Sequence, residues 1–253
     1  MQKFPEGSEA ADIVANLDQV RERIAAACAR VGRCASEVRF LLVTKTIAPD
    51  QIRIAVEAGA ELIGENKVQE LVAKAEALRD LTCERHFIGH LQSNKIKQVL
   101  QHVSCIQSID SLGLAEKLDR QLQKHGRGVD IFLQVNTSGE ATKFGIAPGE
   151  ALGLARQVAR LGTLRVRGMM TIGMFNADGQ ITRRCFAQLR ALRDLITAEG
   201  LAGVQLDHLS MGMSLDFEDA IAEGSTLIRV GRFVFGPRPS MIHHYWNETD
   251  SGA

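Results

Sequence analysis

The stretch Arg39-Phe40-Leu41-Leu42-Val43-Thr44-Lys45, residues 39–45, is a short apolar run that closes on a lysine. An uninterrupted run of this length is typical of a strand buried on both faces of a parallel sheet. Lys45 then stands at the carboxyl end of the strand, where partial burial lowers the pKa of an amine and makes it nucleophilic. The alternative is a lysine whose head group extends into solvent. The rest of the sequence favours the first interpretation.

Seven further apolar runs follow, and longer amphipathic stretches separate them. The eight runs are 40–44, 61–64, 86–89, 105–109, 130–135, 166–172, 206–209 and 227–230. The helical stretches are 49–58, 67–78, 92–101, 111–124, 148–160, 182–199 and 216–223, with an extra amphipathic helix over 10–30 ahead of the first strand. This alternation predicts an α/β fold, a (β/α)₈ TIM barrel, as a single domain over 1–253 with its core at about 39–238. A doubly wound sheet is the main alternative, but its dinucleotide-binding GxGxxG turn is absent after the first strand.

The overall composition excludes several classes of function. Thirty lysines and arginines balance thirty acidic residues, which argues against nucleic acid or an anionic membrane as the main partner. The five cysteines show neither CxxC nor metal-ligand spacing and are typical of reduced thiols. Neither a signal peptide nor a run long enough to span a membrane is recognisable, so we expect a soluble, cytoplasmic protein without a metal site.

Hydrogen-bonding residues stand at nearly every predicted strand end. In a barrel these ends converge on one face, where active sites are built. Turns also favour polar residues, so a single such residue is weak evidence, whereas the whole set predicts a polar pocket with one amine. The residues are Lys45, Asn66, His90, Asp110, Asn136, Thr171, Ser210 and Gly231.

The loops after the last two strands have the composition of a phosphate site. Ser210 and Ser214 offer hydroxyl groups, while Gly212 and Gly231 let backbone amides approach an anion. The alternative is that the glycines only serve tight turns. A lysine on strand one that faces a phosphate site on strands seven and eight predicts a phosphorylated aldehyde as ligand. Pyridoxal phosphate has its aldehyde and its phosphate at opposite edges of one ring.

Arg229 on the last strand restricts the chemistry of such a ligand. A guanidinium only donates hydrogen bonds, so beside a pyridine nitrogen it leaves that nitrogen unprotonated and the ring a poor electron sink. The alternative is a salt bridge between Arg229 and a strand-end acid such as Asp110.

Several segments resemble those of the pyridoxal phosphate homeostasis protein family. They follow one another in order from about residue 39 to 238, and they are Val43-Thr44-Lys45-Thr46, residues 64–70 (GENKVQE), residues 86–95 (HFIGHLQSNK), residues 134–136 with Glu140, Lys143 and Gly145, residues 168–172 (GMMTI), residues 209–214 (LSMGMS), and residues 229–231 with Phe235 and Gly236. The resemblance implies a barrel similar to the amino-terminal domain of alanine racemases that carries pyridoxal 5'-phosphate as an aldimine.

The resemblance also implies a role for each matching residue. Lys45 forms the Schiff base, Asn66 and His86 line the ring pocket, and Met169 lies near it. Arg229 faces the pyridine nitrogen. Ser210, Gly231 and Arg232 hold the phosphate, with Met211 completing the set of cofactor-binding residues.

Three lysine or arginine positions leave alternatives open. Lys67 stands where the family usually has tyrosine, and it is neutral if it points outward but a second amine near the aldehyde if it points inward. Arg232 replaces a small hydroxyl residue and either adds charge to the phosphate or points away. Lys143 is either a second amine for handing the cofactor on or, in the plainer interpretation that we favour, a loop lysine paired with Glu140.

The resemblance favours a protein that carries the cofactor, takes part in vitamin B6 and amino-acid homeostasis, and has no established catalytic reaction. Apo-enzymes that receive the cofactor are the expected partners, and we expect a monomer. One alternative is a low-activity amino-acid racemase or transaminase of the alanine-racemase type, which needs a second base; the only tyrosine is Tyr245 in the tail. The other alternative is a sugar-phosphate aldolase, in which Arg229 would have no clear task.

Overall fold

Eight parallel strands close into a barrel in chain order, from β1 next to β2 through to β8 next to β1. The structure is a computed structural model that describes residues 10–174 and 179–236. The predicted doubly wound alternative is wrong, because β1 pairs with β8 in the register Arg39↔Leu227 to Leu42↔Val230 and leaves no open edge. The strands are β1 (Arg39–Val43), β2 (Leu62–Glu65), β3 (Glu84–Phe87), β4 (Cys105–Ile109), β5 (Val129–Gln134), β6 (Leu164–Met170), β7 (Val204–Met213) and β8 (Leu227–Val230).

Helices connect the strands and cover the outside of the barrel. They are α1 (Ala10–Arg30), α2 (Pro49–Glu57), α3 (Val68–Ala75), α4 (Ile96–Val99), α5 (Leu112–Gln123), α6 (Ala151–Val158), α7 (Gly179–Ala198), α8 (Phe217–Ala222) and α9 (Arg232–Phe235). Short 3₁₀ turns lie at Ala35–Glu37, Ser93–Lys95 and Pro148–Glu150. Within these residues, no helix is long and apolar enough to cross a membrane.

The extra helix α1 covers the seam where the barrel closes. Its apolar residues Ile13, Leu17 and Val20 are fully buried against a cluster that includes Phe217 of α8 and Phe233 of α9. The same cluster contains residues of β1, β2 and β8, so α1 packs where the first and last strands meet. This position explains why the amphipathic pattern of residues 10–30 precedes the first strand.

Most predicted elements match, and the differences affect which residues reach the site. The bounds of α1, β4 and β8 are as predicted. The prediction for β7 is wrong at its end: the strand runs to Met213, past the predicted end at residue 209 and past Ser210. Gly212 inside β7 has φ +90°, a conformation available to glycine, and the pairing of β7 with β8 shifts register between Ser210 and Met213. The helix α9 is absent from the prediction.

Candidate functional site

A cavity of about 330 Å³ lies at the carboxyl ends of the strands, the face that carries the site in TIM barrels. Its volume lies at the lower limit of pockets that hold small ligands. The lining residues come from the strands and their following loops: Val43, Lys45, Asn66, Ile88, Gly89, His90, Gln134, Phe144, Met170, Ile172, Met213, Ser214, Arg229, Gly231 and Arg232. The wall therefore combines one amine and two guanidinium groups with apolar side chains.

Lys45 directly follows β1 and is partly buried on the cavity wall. The next residue, Thr46, has φ +64°, which is rare for a β-branched residue. Its backbone N–H donates to Glu70 Oε2 at 2.6 Å, and its hydroxyl donates to the Lys45 carbonyl at 2.6 Å. These contacts hold a strained conformation and fix the backbone that carries Lys45.

A buried ion-pair network lies directly behind this strand end. Lys74 of α3 donates to Glu65 Oε1 at 2.7 Å, to Glu70 Oε2 at 2.8 Å and to the Thr44 carbonyl at 2.8 Å. The Thr44 hydroxyl also donates to Glu65 at 2.8 Å. Burial raises the pKa of the Glu65 carboxyl, while Lys74 acts in the opposite direction. The network thus ties the residues on both sides of Lys45 to α3.

Asn66 directly follows β2 and lines the cavity. Its side-chain Oδ1 is buried and has no hydrogen-bond partner among the described residues. A Cβ added at Gly89 would lie 2.0 Å from the Asn66 carbonyl, so only glycine lets β3 and the β2 end approach this closely. An orphaned acceptor at a cavity wall indicates a place for a ligand donor, because buried polar groups are otherwise paired.

Arg229 of β8 lies deep in the cavity and is 5% exposed. Its Nη1 donates to the carbonyl and to the hydroxyl of Ser210, and its Nη2 donates to the Thr171 carbonyl, each at 2.7 Å. Burial lowers the pKa of Arg229 to about 10, so the group stays charged at neutral pH. The alternative of a salt bridge to Asp110 is wrong, since these three oxygens hold the guanidinium and Asp110 lies beside His90, with Oδ2 3.8 Å from Nδ1.

Ser214, Gly231 and Arg232 form another part of the wall, after β7 and β8. A Cβ at Gly231 would lie 3.0 Å from the Val43 carbonyl oxygen, which brings the start of α9 close to the end of β1. Gly231 is the N-cap of α9 and offers no side-chain hydrogen bond to the helix. Arg232 is exposed and lines the cavity, and both predicted alternatives for its guanidinium stay predictions.

The loop after β5 covers one side of the cavity mouth. Phe144 is 55% exposed and stacks on His90, with ring centroids 3.9 Å apart. The loop is held by Gln134, whose Nε2 donates to the Phe144 carbonyl at 3.0 Å, and by Lys143, which donates to the Gly173 carbonyl at 2.7 Å. Lys143 also forms an ion pair with Glu140, as the plainer prediction had it, and Lys143 is not among the residues that line the cavity.

Four of the predicted cofactor-binding residues do not line the cavity: His86, Met169, Ser210 and Met211. Lys67, for which the sequence left two orientations open, does not line it either. Met169 is fully buried on the helix-facing side of β6, and Met170 takes the inward position, because a shift of one residue changes the face of a strand. Met211 is likewise fully buried outside the cavity. Lys67, at the N-cap of α3, is exposed, as in the outward alternative.

Ser210 and His86 lie deeper in the barrel interior than predicted. Because β7 continues beyond Ser210, the Ser210 hydroxyl points toward Gln107 and Arg229 and is fully buried. His86 is the third residue of β3 and lines a cavity at the amino ends of the strands, while His90, four residues later, lines the cavity at their carboxyl ends. The predicted positions of Lys45, Asn66, Arg229, Gly231 and Arg232 are on the cavity, and their roles stay predictions.

Comparisons with known proteins agree with this geometry. A family model described as the N-terminal domain of alanine racemase matches residues 15–239. A pyridoxal phosphate homeostasis protein of Aquifex aeolicus is 41% identical over 222 residues, which cover 88% of this chain and 96% of that protein. The structure of an unknown protein from Bifidobacterium adolescentis has a TM-score of 0.87 and 41% identity, and the match covers 92% of this chain and 98% of that chain. The structure of PipY from Synechococcus elongatus, with PLP bound, has a TM-score of 0.78 and 34% identity, and the match covers 88% and 100% of the two chains.

Proposed function

The chain belongs to the pyridoxal phosphate homeostasis protein family, and on this premise we propose that it binds pyridoxal 5'-phosphate in the cavity at the carboxyl ends of the strands, through a Schiff base at Lys45. In this step the Lys45 amine adds to the aldehyde of the cofactor, a carbon–nitrogen double bond forms and one water leaves. The relative whose structure has PLP bound supports the choice of ligand.

The residues of the cavity fit this ligand in three ways. Lys45 supplies the amine, and the orphaned Asn66 Oδ1 offers an acceptor to a ring hydroxyl. Ser214, Gly231 and Arg232 provide a hydroxyl, an accessible backbone and a positive charge for the phosphate. When bound, the cofactor supplies an electrophilic carbon that reacts with amines.

Arg229 carries the conclusion that the protein holds the cofactor rather than driving a reaction on it. Its hydrogen bonds to Ser210 and Thr171 fix the guanidinium in the cavity. A guanidinium cannot give a proton to a ring nitrogen, whereas a carboxylic acid would hold that nitrogen protonated and make the ring an electron sink. We therefore propose a carrier that takes part in vitamin B6 and amino-acid homeostasis and delivers the cofactor to apo-enzymes.

Two assays on one preparation test this function. The protein loaded with pyridoxal phosphate should restore the activity of an apo-aminotransferase, whereas the Lys45→Ala variant treated in the same way should transfer much less. A Lys124→Ala variant, changed at an exposed lysine after α5, serves as the matched control. Formation of D-alanine from L-alanine at enzyme-like rates, about 1–10³ s⁻¹, would instead support the racemase alternative and contradict the carrier.

A further inference from the structure

A chain of hydrogen bonds crosses the barrel interior below the cofactor cavity. It begins at Arg229, whose Nη1 lies 2.7 Å from Ser210 Oγ, and continues from Ser210 Oγ to Gln107 Oε1 at 2.7 Å. Gln107 Nε2 then lies 2.8 Å from His86 Nδ1, and His86 Nε2 lies 3.5 Å from Glu84 Oε2. Gln107 and Ser210 are fully buried and His86 is 6% exposed, so solvent has little access to these three residues.

The hydrogen bonds of this chain run in one direction. Arg229 only donates, so the Ser210 oxygen accepts from it, and the Ser210 hydroxyl donates in turn to the side-chain oxygen of Gln107. Gln107 must then present its oxygen to Ser210 and its NH₂ group to His86. His86 Nδ1 must accept, which places the proton of a neutral imidazole on Nε2, toward Glu84.

We propose that Gln107 and His86 are positioning residues for Arg229, and that protonation of His86 at the amino-terminal end of the barrel is transmitted through Gln107 and Ser210 to the cofactor cavity. A proton on His86 Nδ1 would face the NH₂ group of Gln107, and two donors would oppose each other. Gln107 relieves this conflict by rotating its amide, which turns its NH₂ group toward Ser210. Ser210 then loses the acceptor for its proton, and the anchor of Arg229 is disturbed.

The surroundings of His86 favour its neutral form. It lines a second cavity of about 290 Å³ at the amino ends of the strands. Burial lowers the pKa of His86, and Glu84 opposes this effect. The other titratable and charged groups that face this cavity are Arg39 of β1, Cys105 of β4, Asp130 of β5, Arg167 of β6, and Asp207 and His208 of β7. The linings from β2 and β8 are the apolar residues Leu62 and Leu227.

The first experiment uses the protein without cofactor. Long-range ¹H–¹⁵N correlation spectra of [¹⁵N]histidine-labelled protein identify the tautomer of each imidazole, and His86→Gln assigns the His86 signals by their loss. We expect His86 as the Nε2–H tautomer at pH 7.5. The Nδ1–H tautomer would overturn the proposal.

The second experiment changes which groups donate and which accept in the hydrogen-bond chain. In Gln107→Glu a carboxylate accepts from both Ser210 and His86, so the pH midpoint of His86 protonation should rise by about 1–3 units. Ser210→Ala, a smaller change, should also raise the midpoint because it frees Gln107 to rotate. Ser108→Ala is the matched control, since Ser108 is fully buried beside Gln107 and its Oγ has no partner among the described residues. An unchanged midpoint in both Gln107→Glu and Ser210→Ala would overturn the transmission step.

The final readout links the chain to the cavity and rests on the proposed function. In protein saturated with pyridoxal phosphate, the absorbance of the bound cofactor should change with the pH midpoint of His86 and shift with it in Gln107→Glu. An absorbance spectrum of the bound cofactor that does not change around the pH midpoint of His86 would overturn the link to Arg229. Protein that binds no pyridoxal phosphate but has the Nε2–H tautomer and a shifted midpoint would support the hydrogen-bond chain and contradict only the proposed function.

Discussion

Replacing Lys74 with methionine tests whether the ion-pair network behind Lys45 supports the site. Methionine keeps much of the length of the side chain and removes the ammonium group. Glu65 would keep the Thr44 hydroxyl as its partner, and the Thr44 carbonyl and Glu70 would each lose a donor. The variant therefore leaves a buried carboxylate without its counter-charge.

Burial determines the size of the effect. The Lys74 side chain is 11% exposed and that of Glu65 is 6% exposed, so the pair belongs to the buried class. Removing one partner of such a pair costs about 3–5 kcal/mol, a large share of the roughly 5–15 kcal/mol that stabilises a typical domain. In a protein of this length that loss lowers Tm by about 6–20 °C.

Urea unfolding at several pH values provides the assay. Burial already raises the pKa of Glu65, and the loss of Lys74 raises it further, so as the pH falls the folded variant takes up a proton before the unfolded chain does. Such a group adds stability as the pH falls, so the difference between wild type and Lys74→Met should shrink from pH 8 to pH 5. Glu65→Gln in the Lys74→Met background should recover part of the loss. A loss below about 1 kcal/mol, or no recovery in the double variant, would refute this reasoning.

Two further predictions concern close packing and pH. Gly89→Ala should lower stability by about 1–3 kcal/mol and weaken cofactor binding, because its Cβ would meet the Asn66 carbonyl at 2.0 Å. Gly153→Ala, in α6 with no atom within 4 Å of the added Cβ, should instead stabilise by about 0.5–1 kcal/mol, and equal Tm shifts in the two variants would contradict the packing argument. His86 and a neighbouring arginine lower the pKa of Glu84 from 4.5 to about 2, so its stabilisation is present above pH 4.5 and is lost as the pH falls toward 2. The urea midpoint of unfolding should therefore decrease less between pH 5 and pH 3 in Glu84→Gln than in wild type. An equal decrease in the two proteins would argue against a stabilising role of the Glu84 carboxylate.

The architecture of the barrel could be predicted because the sequence pattern that indicates it does not depend on exact element boundaries. Short apolar runs alternate with amphipathic stretches, and this alternation survives an error of two residues at any boundary. Lys45 and Arg229 could also be placed on the cavity, because each stands at or near the end of an apolar run. Polar residues at such positions are conspicuous against a buried strand.

Register and depth inside the barrel could not be predicted. Strand β6 ends in two consecutive methionines, and its pairing with β7 shifts register between Val166 and Gly168, so the sequence pattern does not show that Met170 rather than Met169 points inward. Ser210 resembles a strand end in the sequence, but the glycine at 212 allows β7 to continue beyond it. Lys74 has the spacing of an ordinary surface lysine paired with Glu70 on one helix, and only the fold brings Glu65 to its other side.

The site of covalent attachment is the decisive test of the proposed Schiff base at Lys45. Protein incubated with pyridoxal phosphate, reduced with borohydride and digested should carry one reduced pyridoxyl phosphate group on the peptide that contains Lys45, as measured by mass spectrometry. We predict this single labelled lysine and the loss of the label in Lys45→Ala. A label on Lys143 or Lys67 in place of Lys45, or no label at all, would contradict it.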